Sequence, residues 1–429
     1  MISRRFTVRG PDFFGMASEP VKHGYRRDGI RRPVRLVVAT EHHFVRVGGE
    51  IYTALAFGYE YWKKYLEAFG EVHVLARVGR AETVHEDRFR ADGPGVYFIP
   101  VPEYRGPRQL LKMWPGVFRA ALRAARFGDC FLLRSGTICT VLWVWLTLLG
   151  RPYAREVPGE TGEAARTFAV DGHPLAMPII AGILEQLCVI QLRGAFCASY
   201  VSRSVRRLYP TSDPSGEFVF SDVQLTEDLK TTPRTIEDFR HTPMRILSVG
   251  RLEREKGHRF LIDAADQLRR DHPDGWHIRI VGPGSQLEAL RQQVKLLKLE
   301  DCVEAVGPVK YGQELFVHYD WADLFVLPSL TEGMPRALIE AMARGLPAIG
   351  SRTGGIVELL SAPQLVTPGR GDLLKQAIAK RIGDTEALAR FSQENYNKAV
   401  REYGMEELRR RERAFWKAML DGPRGRQST

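Results

Sequence analysis

The stretch DLFVLPSLTEGMPRALIEAMARGLP (323–347) changes character twice within 25 residues. It begins with an apolar run, 323–329, that is typical of a buried strand, and after a turn at Gly333 it continues with apolar residues at helical spacing. Pro335 suits the first helical position, because its missing N–H would have no intrahelical partner there. Gly345 ends the helix. A strand that leads through a short turn into a helix is the repeating unit of a doubly wound α/β domain.

The same alternation runs through both halves of the chain. Apolar runs that predict strands lie at 34–40, 71–78, 96–101, 130–134 and 152–157, and again at 244–250, 276–282, 302–307 and 323–329. In the first half, a loop at 41–50 and a helix over 51–68 are predicted between the first two strands. Strands separated by helices favour parallel sheets covered on both faces. We therefore predict two doubly wound, Rossmann-like α/β domains, with a ligand in the crevice at the carboxyl ends of their strands.

The length of 429 residues supports this division, because single cores stop growing at roughly 250–300 residues. The linker is recognised by its Thr, Asp and Pro content. The final helix is amphipathic, and we therefore expect this helix to pack back toward the first domain. The predicted organisation is a basic, mobile tail (1–32), a first domain (33–225), a linker (226–243), a second domain (244–404), and a final helix with its tail (405–429).

The composition is that of a soluble globular protein, with 44% hydrophobic and 26% charged residues. The net charge of +11 favours anionic partners such as phosphorylated small molecules or acidic lipid. The five cysteines form no C-x-x-C pair, which argues against a zinc site or a disulfide framework. No apolar stretch reaches the ~20 residues that span a bilayer. The apolar helices at 137–149 and 178–192 are expected in the core, with a position at a membrane interface as the alternative.

Two glutamates frame the helix start in the quoted stretch. Glu332 precedes the helix, and Glu340 lies within about two turns of its start at ~1.5 Å per residue. Free backbone amides at a helix start favour a phosphate, and a carboxylate accepts hydrogen bonds from a ribose diol. The arrangement fits a sugar joined to a nucleotide; ordinary capping by Glu332 and a solvated Glu340 are the alternative. The candidate substrate-binding segment at this helix start comprises Gly333, Met334, Pro335 and Arg336.

Two cations follow the strand predicted at 244–250. Arg251 comes directly after it, and Lys256 lies five residues later, before the next helix. Paired cations at the carboxyl end of a strand can hold a diphosphate without a metal ion, although two surface cations are the alternative. Gly282 and Gly307, which end the next two strands, are further candidate substrate-binding positions.

Together, GRLEREKG (250–257) and the segment 322–360 with its pair of glutamates resemble the family 4 retaining glycosyltransferases of the GT-B fold. The resemblance implies that Arg251 and Lys256 bind the donor diphosphate. It implies that Glu332 and the amides after it meet the sugar, and that Glu340 holds the nucleotide ribose. Met334 stands where the family usually has Phe, so the contact at the edge of the sugar differs here.

Two segments of the first half also resemble this family. HHFVRVGGEIYT (42–53) is similar to its glycine-rich loop, in which Gly48 and Gly49 would let the backbone approach a phosphate or an acceptor, unless they only form a tight turn. REVPGETGE (155–163) resembles a segment of members that assemble polysaccharides. The residues that would face the acceptor there are Arg155, Glu156 and Glu160.

The function that this resemblance implies is transfer of a hexose-type sugar from a nucleoside diphosphate to a glycan or lipid-linked acceptor, with retention and without a metal or other cofactor. Arg251, Lys256 and Glu332 are the expected catalytic residues. The protein is expected in the cytoplasm, in reversible contact with the anionic inner face of a membrane.

Four other classes of protein share some of these sequence features. A sugar-nucleotide epimerase of the same architecture and a non-enzymatic nucleotide-sugar-binding subunit remain alternatives. A nicotinamide dehydrogenase is disfavoured, because VGPGSQL (281–287) lacks the third glycine of the dinucleotide motif. A nucleic-acid partner is not expected, because no basic patch interleaved with aromatic residues is recognised.

Overall fold

A computed structural model describes residues 24–27, 30–54, 57–85, 88–134, 136–159, 176–221, 223 and 225–423. They form two α/β domains, each built on a mainly parallel sheet, which confirms the predicted fold class. Strands β1 (Gly24–Arg27) and β2 (Ile30–Pro33) pair with each other in antiparallel fashion, so this part of the predicted tail has regular structure. Residues 1–23 lie outside the described residues.

The sheet of the first domain has the parallel order β7-β5-β3-β8-β9-β10-β11, with β4 and β6 added in antiparallel fashion beside the end of β3. Successive residues of β3 enter two different apolar clusters, one on each face of the sheet, as expected of a strand covered on both sides. Its strands are β3 (Arg35–Val47), β4 (Glu50–Thr53), β5 (Glu71–Arg80), β6 (Phe89–Arg90), β7 (Val96–Val101), β8 (Cys130–Leu133), β9 (Ala154–Val157), β10 (Cys197–Tyr200) and β11 (Glu217–Val219).

The segment between β3 and the first helix differs from the prediction. β3 continues to Val47 and turns through Gly48 and Gly49 into β4, so 41–50 is not a loop. The φ angles of Gly48 and Gly49 are 56° and 95°, and two-residue hairpin turns favour glycine because they need such positive values. The helix predicted over 51–68 is therefore wrong at its start, and helical structure begins only at Tyr59.

The prediction placed two apolar helices of the first domain, 137–149 and 178–192, in the core. The apolar side chains of α3 are mostly buried, whereas α4 exposes Ile183 and Ile190. These helices are α1 (Tyr59–Lys63), α2 (Gly106–Phe127), α3 (Thr137–Leu148), α4 (Ala176–Gly194) and α5 (Arg203–Leu208).

The second domain has one parallel sheet, in the order β14-β13-β12-β15-β16-β17. Its strands are β12 (Met244–Val249), β13 (Trp276–Val281), β14 (Val303–Gly307), β15 (Leu324–Leu327), β16 (Ala348–Ser351) and β17 (Leu365–Val366). Its helices are α6 (His258–Asp271), α7 (Leu287–Leu296), α8 (Gln313–Trp321), α9 (Arg336–Ala343), α10 (Ile356–Leu359), α11 (Gly371–Ala379) and α12 (Thr385–Tyr403).

The final helix, α13 (Met405–Asp421), crosses back to the first domain. Its buried residues Phe415, Trp416 and Met419 belong to an apolar cluster of the first domain. Lys64 Nζ lies 2.6 Å from Glu412 Oε1 and adds an ion pair to this contact. The helix therefore ties the C-terminal end of the described chain to the first domain.

Candidate functional site

The candidate cations and Glu332 lie where the second sheet reverses its winding. From β12 the chain moves outward through β13 to β14, and it then returns to place β15 on the other side of β12. Arg251 and Lys256 follow β12, and Glu332 follows β15. Ligands of open α/β sheets bind outside the carboxyl ends of the strands at such a switch point.

Lys256 and Glu332 form a largely buried ion pair at this point. The Lys256 Nζ lies 2.7 Å from Glu332 Oε1, and the two side chains are 16% and 8% exposed. The hydroxyl of Ser329 donates to the same Oε1 atom over 2.9 Å. The carboxylate of Glu332 is therefore held in place by a cation and a hydroxyl before any ligand binds.

A glycine allows the loops that carry this pair to approach each other. Gly257 has a φ of 66°, and a Cβ atom there would lie 2.2 Å from the carbonyl oxygen of Pro328. Any other residue would push the loop after β12 away from the loop after β15. Gly257 is therefore needed for Lys256 to reach Glu332.

Arg251 is not drawn into the ion pair. Its guanidinium lies 3.2 Å from Glu255 Oε1, and its side chain is largely exposed. The structure thus separates the two cations that the sequence grouped together. Lys256 is fixed against Glu332, whereas Arg251 remains at the surface of the crevice.

Gly282 and Gly307 have packing roles at the ends of their strands. A Cβ atom at Gly282 would lie 1.9 Å from the carbonyl oxygen of Gly250, and the N–H of Gly282 donates to the Gly307 carbonyl over 2.8 Å. These glycines let the ends of β12, β13 and β14 lie close together. A Cβ atom at Gly307 would instead lie 3.1 Å from Leu287 Cδ2, so close packing explains both glycines, and their contact with a substrate stays a prediction.

The segment from Gly333 to Arg336 is supported from behind by a second glycine turn. The N–H of Gly355 donates to the Gly333 carbonyl over 2.8 Å, and a Cβ at Gly354 would lie 1.7 Å from the Glu332 carbonyl oxygen. Pro335 is the N-cap, so α9 begins at the exposed Arg336, one residue later than predicted. The glycine pair at 354–355 was missed as part of the site, although a double glycine after a strand was its signal.

Met334 and Glu340 both contact tyrosines that the sequence did not connect to them. The hydroxyl of Tyr403 lies 3.6 Å from the Met334 sulfur, and the hydroxyl of Tyr319 donates to Glu340 Oε2 over 3.0 Å. Glu340 is buried, so the alternative of a solvated helix residue is wrong. Burial raises the pKa of Glu340, while the Tyr319 hydrogen bond and the Arg336 charge oppose that rise. A buried carboxylate is costly unless it is paired, so this residue is a strong candidate for contact with a ligand.

The first domain faces this segment across the crevice. A Cβ atom at Gly333 would lie 3.5 Å from the Pro158 carbonyl oxygen and 3.8 Å from Val201 Cγ2. Pro158 and Val201 directly follow β9 and β10. The carboxyl ends of both sheets therefore meet at Gly333.

Of the candidates in the first domain, Arg155 is corrected by the structure. Its side chain is buried and donates to the carbonyl of Leu133 over 3.1 Å, so it fastens β9 to β8 instead of facing an acceptor. Glu156 pairs with Arg134 over 2.6 Å and lines a cavity between the first domain and α13. Glu160 lies outside the described residues.

Gly48 and Gly49 form the tip of the β3–β4 hairpin. No heavy atom of the described residues lies within 4 Å of the position that a Cβ would take at either glycine. The turn accounts for the positive φ angles of both glycines, and their approach to a phosphate or an acceptor stays a prediction. Within the part of the chain that the structure describes, no group of three or more His, Cys, Asp or Glu side chains is arranged to hold a metal ion.

Residues 230–398 match the model of the family described as glycosyl transferases group 1. Among curated relatives, the amylovoran biosynthesis glycosyltransferase AmsK of Erwinia amylovora is 40% identical over 29% of this chain. The protein CapJ of Staphylococcus aureus is 23% identical over 85% of this chain and 90% of its own length. The putative colanic acid biosynthesis glycosyltransferase WcaL of Escherichia coli K12 is 37% identical over 35% of this chain.

The matches to AmsK and WcaL span about a third of the length of those relatives, 32% and 37%. Solved structures match over nearly the whole chain. Anabaena Alr3699/HepE in complex with UDP has a TM-score of 0.62 at 18% identity, and the match covers 90% of this chain and 100% of that one. Sucrose-phosphate synthase from Thermosynechococcus elongatus has a TM-score of 0.65 at 17% identity, covering 90% and 99%.

The two facing Rossmann-like domains give the chain the GT-B fold, as the likeness to these solved structures shows. The family match at 230–398 covers most of the second domain and part of the linker before it.

Proposed function

We propose that the chain is a glycosyltransferase that moves a hexose-type sugar from a nucleoside diphosphate to a hydroxyl of a glycan or lipid-linked acceptor, with retention and without a metal ion. The observation that carries the proposal is the pair of Lys256 and Glu332 at the switch point, 2.7 Å apart and facing the first domain. Names of the relatives AmsK and WcaL support a place in polysaccharide biosynthesis. A sugar-nucleotide donor also favours a cytoplasmic enzyme, because sugar nucleotides are made in the cytoplasm.

The donor would lie along the carboxyl edge of the second sheet. Lys256 and Arg251 would neutralise its diphosphate, with Arg251 free to move from Glu255 to the phosphate. Glu340, oriented by Tyr319, would accept hydrogen bonds from the ribose diol. The UDP bound to the HepE neighbour supports a nucleoside diphosphate as the ligand of this edge.

The reaction breaks the bond between the anomeric carbon and the diphosphate oxygen, and it forms a bond from that carbon to the acceptor oxygen on the same face. Lys256 and the amides at the start of α9 would stabilise the charge that develops on the leaving diphosphate. The acceptor proton would pass to the leaving phosphate oxygen, so no separate base is assigned. Glu332 would orient the sugar, because its carboxylate is already fixed by Lys256 and Ser329.

The proposal is tested in two steps. UDP-, GDP- and ADP-sugars are first screened for thermal stabilisation, since a ligand at 100 times its dissociation constant adds ~2.7 kcal/mol to the free energy of unfolding. The stabilising donor is then incubated with lipid-linked and free glycan acceptors, and release of the nucleoside diphosphate and the anomeric configuration of the product are measured. Release of the nucleoside diphosphate that depends on the acceptor, together with retention of the anomeric configuration in the product, supports the proposal. Binding without release would indicate a nucleotide-sugar-binding subunit, and a change of the sugar without transfer would indicate an epimerase.

A further inference from the structure

The first part of helix α2 extends beyond the sheet of the first domain. α2 follows β7, whose carboxyl end lies at the crevice edge, and a Cβ at Gly116 would lie 2.7 Å from Pro102 Cγ, just after that strand. The helix runs back along the sheet from Gly116, so residues 106–115 project past the edge. Ten residues correspond to ~15 Å of helix. This projecting part therefore stands beside the opening of the crevice, on the side expected for the acceptor.

The helix carries positive charge only. Its 22 residues include no Asp or Glu, and the spacing of its cations places them along one face. All are exposed, and within the described residues none of them is paired with a carboxylate. These cations, here called the basic stripe, are Arg108, Lys112, Arg119, Arg123 and Arg126.

The projecting part also exposes large apolar side chains, which lie on different faces of the helix. Leu111 is 78% exposed, and Met113 and Trp114 are 41% and 40% exposed. Several exposed apolar residues on one short segment are characteristic of surfaces that bind a partner, whereas single ones are ordinary. A projecting segment that exposes both large apolar side chains and cations matches the chemistry of a lipid surface, whose acyl chains lie below anionic headgroups.

We propose that residues 106–115 of α2, with the basic stripe, dock the protein on an anionic lipid bilayer. This inference rests on the proposed function for its purpose, which is to hold the crevice against a membrane that carries the acceptor. It places the membrane contact on α2 rather than on the two apolar helices that the sequence suggested, because residues 106–115 project past the sheet and combine exposed cations with exposed apolar side chains. A nucleic acid would use the same cations and would stack on Trp114, but it has no use for Leu111, the most exposed of the three.

The structure describes no helix that is both long and apolar enough to cross a membrane. Docking through α2 would be peripheral and reversible, because it uses exposed cations and a few exposed apolar side chains at the protein surface. Each Lys or Arg near an anionic surface contributes enough affinity that the loss of three should weaken binding on the order of 100-fold. High salt should release the protein, because screening shortens the reach of these charges.

The test is sedimentation of the full chain with vesicles of phosphatidylcholine alone or mixed with phosphatidylglycerol. One variant combines Arg108→Gln, Lys112→Gln and Arg119→Gln, and a second combines Leu111→Ser with Met113→Ser. The matched control, Lys295→Gln with Lys298→Gln and Lys380→Gln, removes the same charge from exposed positions of the second domain. Thermal unfolding of each variant establishes that it is folded, and single-stranded DNA is offered as a competing polyanion.

The expected result is salt-sensitive binding to anionic vesicles that drops roughly 100-fold in the first variant, falls in the second, and is kept in the control. The proposal would be overturned if the control lost as much vesicle binding as the first variant, or if both α2 variants bound as the wild type does. Equal binding to neutral and anionic vesicles would also overturn it. Tight binding to DNA that ignores Leu111→Ser, without vesicle binding, would replace it with a nucleic-acid surface. Turnover with a soluble acceptor is measured separately, so docking without any transfer would leave this surface standing and refute the proposed function.

Discussion

Glu358 of the second domain accepts a hydrogen bond from the backbone N–H of Ser204 in the first domain, with 2.6 Å between the nitrogen and Oε1. Its other oxygen accepts the N–H of Arg203 over 3.0 Å. Both amides belong to the start of α5, where helices leave donors without partners. Because Glu358 follows the glycine turn that supports Gly333, one carboxylate links the donor side of the crevice to the acceptor domain.

Glu358→Ala should weaken this link between the domains. Loss of a carboxylate cap costs about 0.5–2 kcal/mol, and if catalysis needs the domains held together, ~1 kcal/mol lowers turnover about fivefold. We expect turnover to fall more than donor affinity, and the radius of gyration measured by small-angle scattering to increase. Glu402→Ala, which removes a nearby carboxylate that pairs with Arg401, is the control. Unchanged kinetics and size in Glu358→Ala would show that the contact does not hold the domains.

The two cations near Glu332 should respond differently to removal. Arg251→Ala and Lys256→Ala should each lower donor turnover on the order of 10²-fold, because both act on charge that builds in the transition state. Only Lys256→Ala should also lower the free energy of unfolding, since it leaves the buried carboxylate of Glu332 without its cation. Turnover and urea unfolding are measured for both.

Two further variants separate these effects. Glu332→Gln added to Lys256→Ala should restore part of the stability but none of the turnover, because the uncompensated charge is removed. Lys295→Ala, at an exposed position far from the crevice, should change neither quantity. Wild-type turnover in the double variant Arg251→Ala with Lys256→Ala would exclude the site.

Glu340→Gln should raise the donor Michaelis constant more than it lowers the rate constant. The amide keeps the shape but loses the charge, which weakens bonds to the ribose diol by roughly 1.5–3 kcal/mol. Tyr319→Phe, which removes only the hydroxyl that holds Oε2, should give a smaller effect in the same direction. Because burial raises the pKa of Glu340, its carboxylate takes up a proton at a higher pH than an ordinary carboxylate does. On acidification, the donor affinity of the wild type should therefore begin to fall at that higher pH. Equal affinity of the wild type for ribose and 2′-deoxyribose donors would contradict this role.

The strands of the second domain were predictable because they are buried on both faces and therefore read as continuous apolar runs. The run at 244–250 became β12, and the run at 323–329 contains β15. The first domain was harder at 41–53, where polar and apolar residues alternate. That alternation around Gly48 and Gly49 is the signal of a hairpin, whereas the prediction for this segment is a loop followed by the start of a helix.

The site was predictable where its residues belong to one local segment, and not where it depends on packing between distant segments. Tyr319 lies 21 residues from Glu340, and Ser204 lies 154 residues from Glu358. No local pattern indicates such contacts. The error at Arg155 has a simpler cause, because successive side chains of a strand point to opposite faces. Arg155 and Glu156 could not both face the acceptor.

The stability of the second domain should depend on pH through His258, which lies below the loop of Arg251. Its ring is buried, with Nδ1 at 3.2 Å from the Ser248 hydroxyl, and burial lowers the pKa of His258 to about 4. In the unfolded chain an ordinary histidine has a pKa near ~6.5. Between these values the unfolded state binds a proton that the folded state does not, so acidification favours unfolding.

His258→Phe should therefore remove an acid-sensitive step from the unfolding equilibrium. From pH 7.5 to pH 5 the wild type should lose about 2 kcal/mol more than the variant does, since each unit of pKa shift corresponds to ~1.4 kcal/mol. The comparison uses the difference between two pH values, so a general loss of stability in the variant cancels. Urea unfolding at both pH values measures it, and His85→Phe, at an exposed histidine, should keep the wild-type pH dependence. If His258→Phe loses as much stability on acidification as the wild type, the buried ring is not the group that titrates.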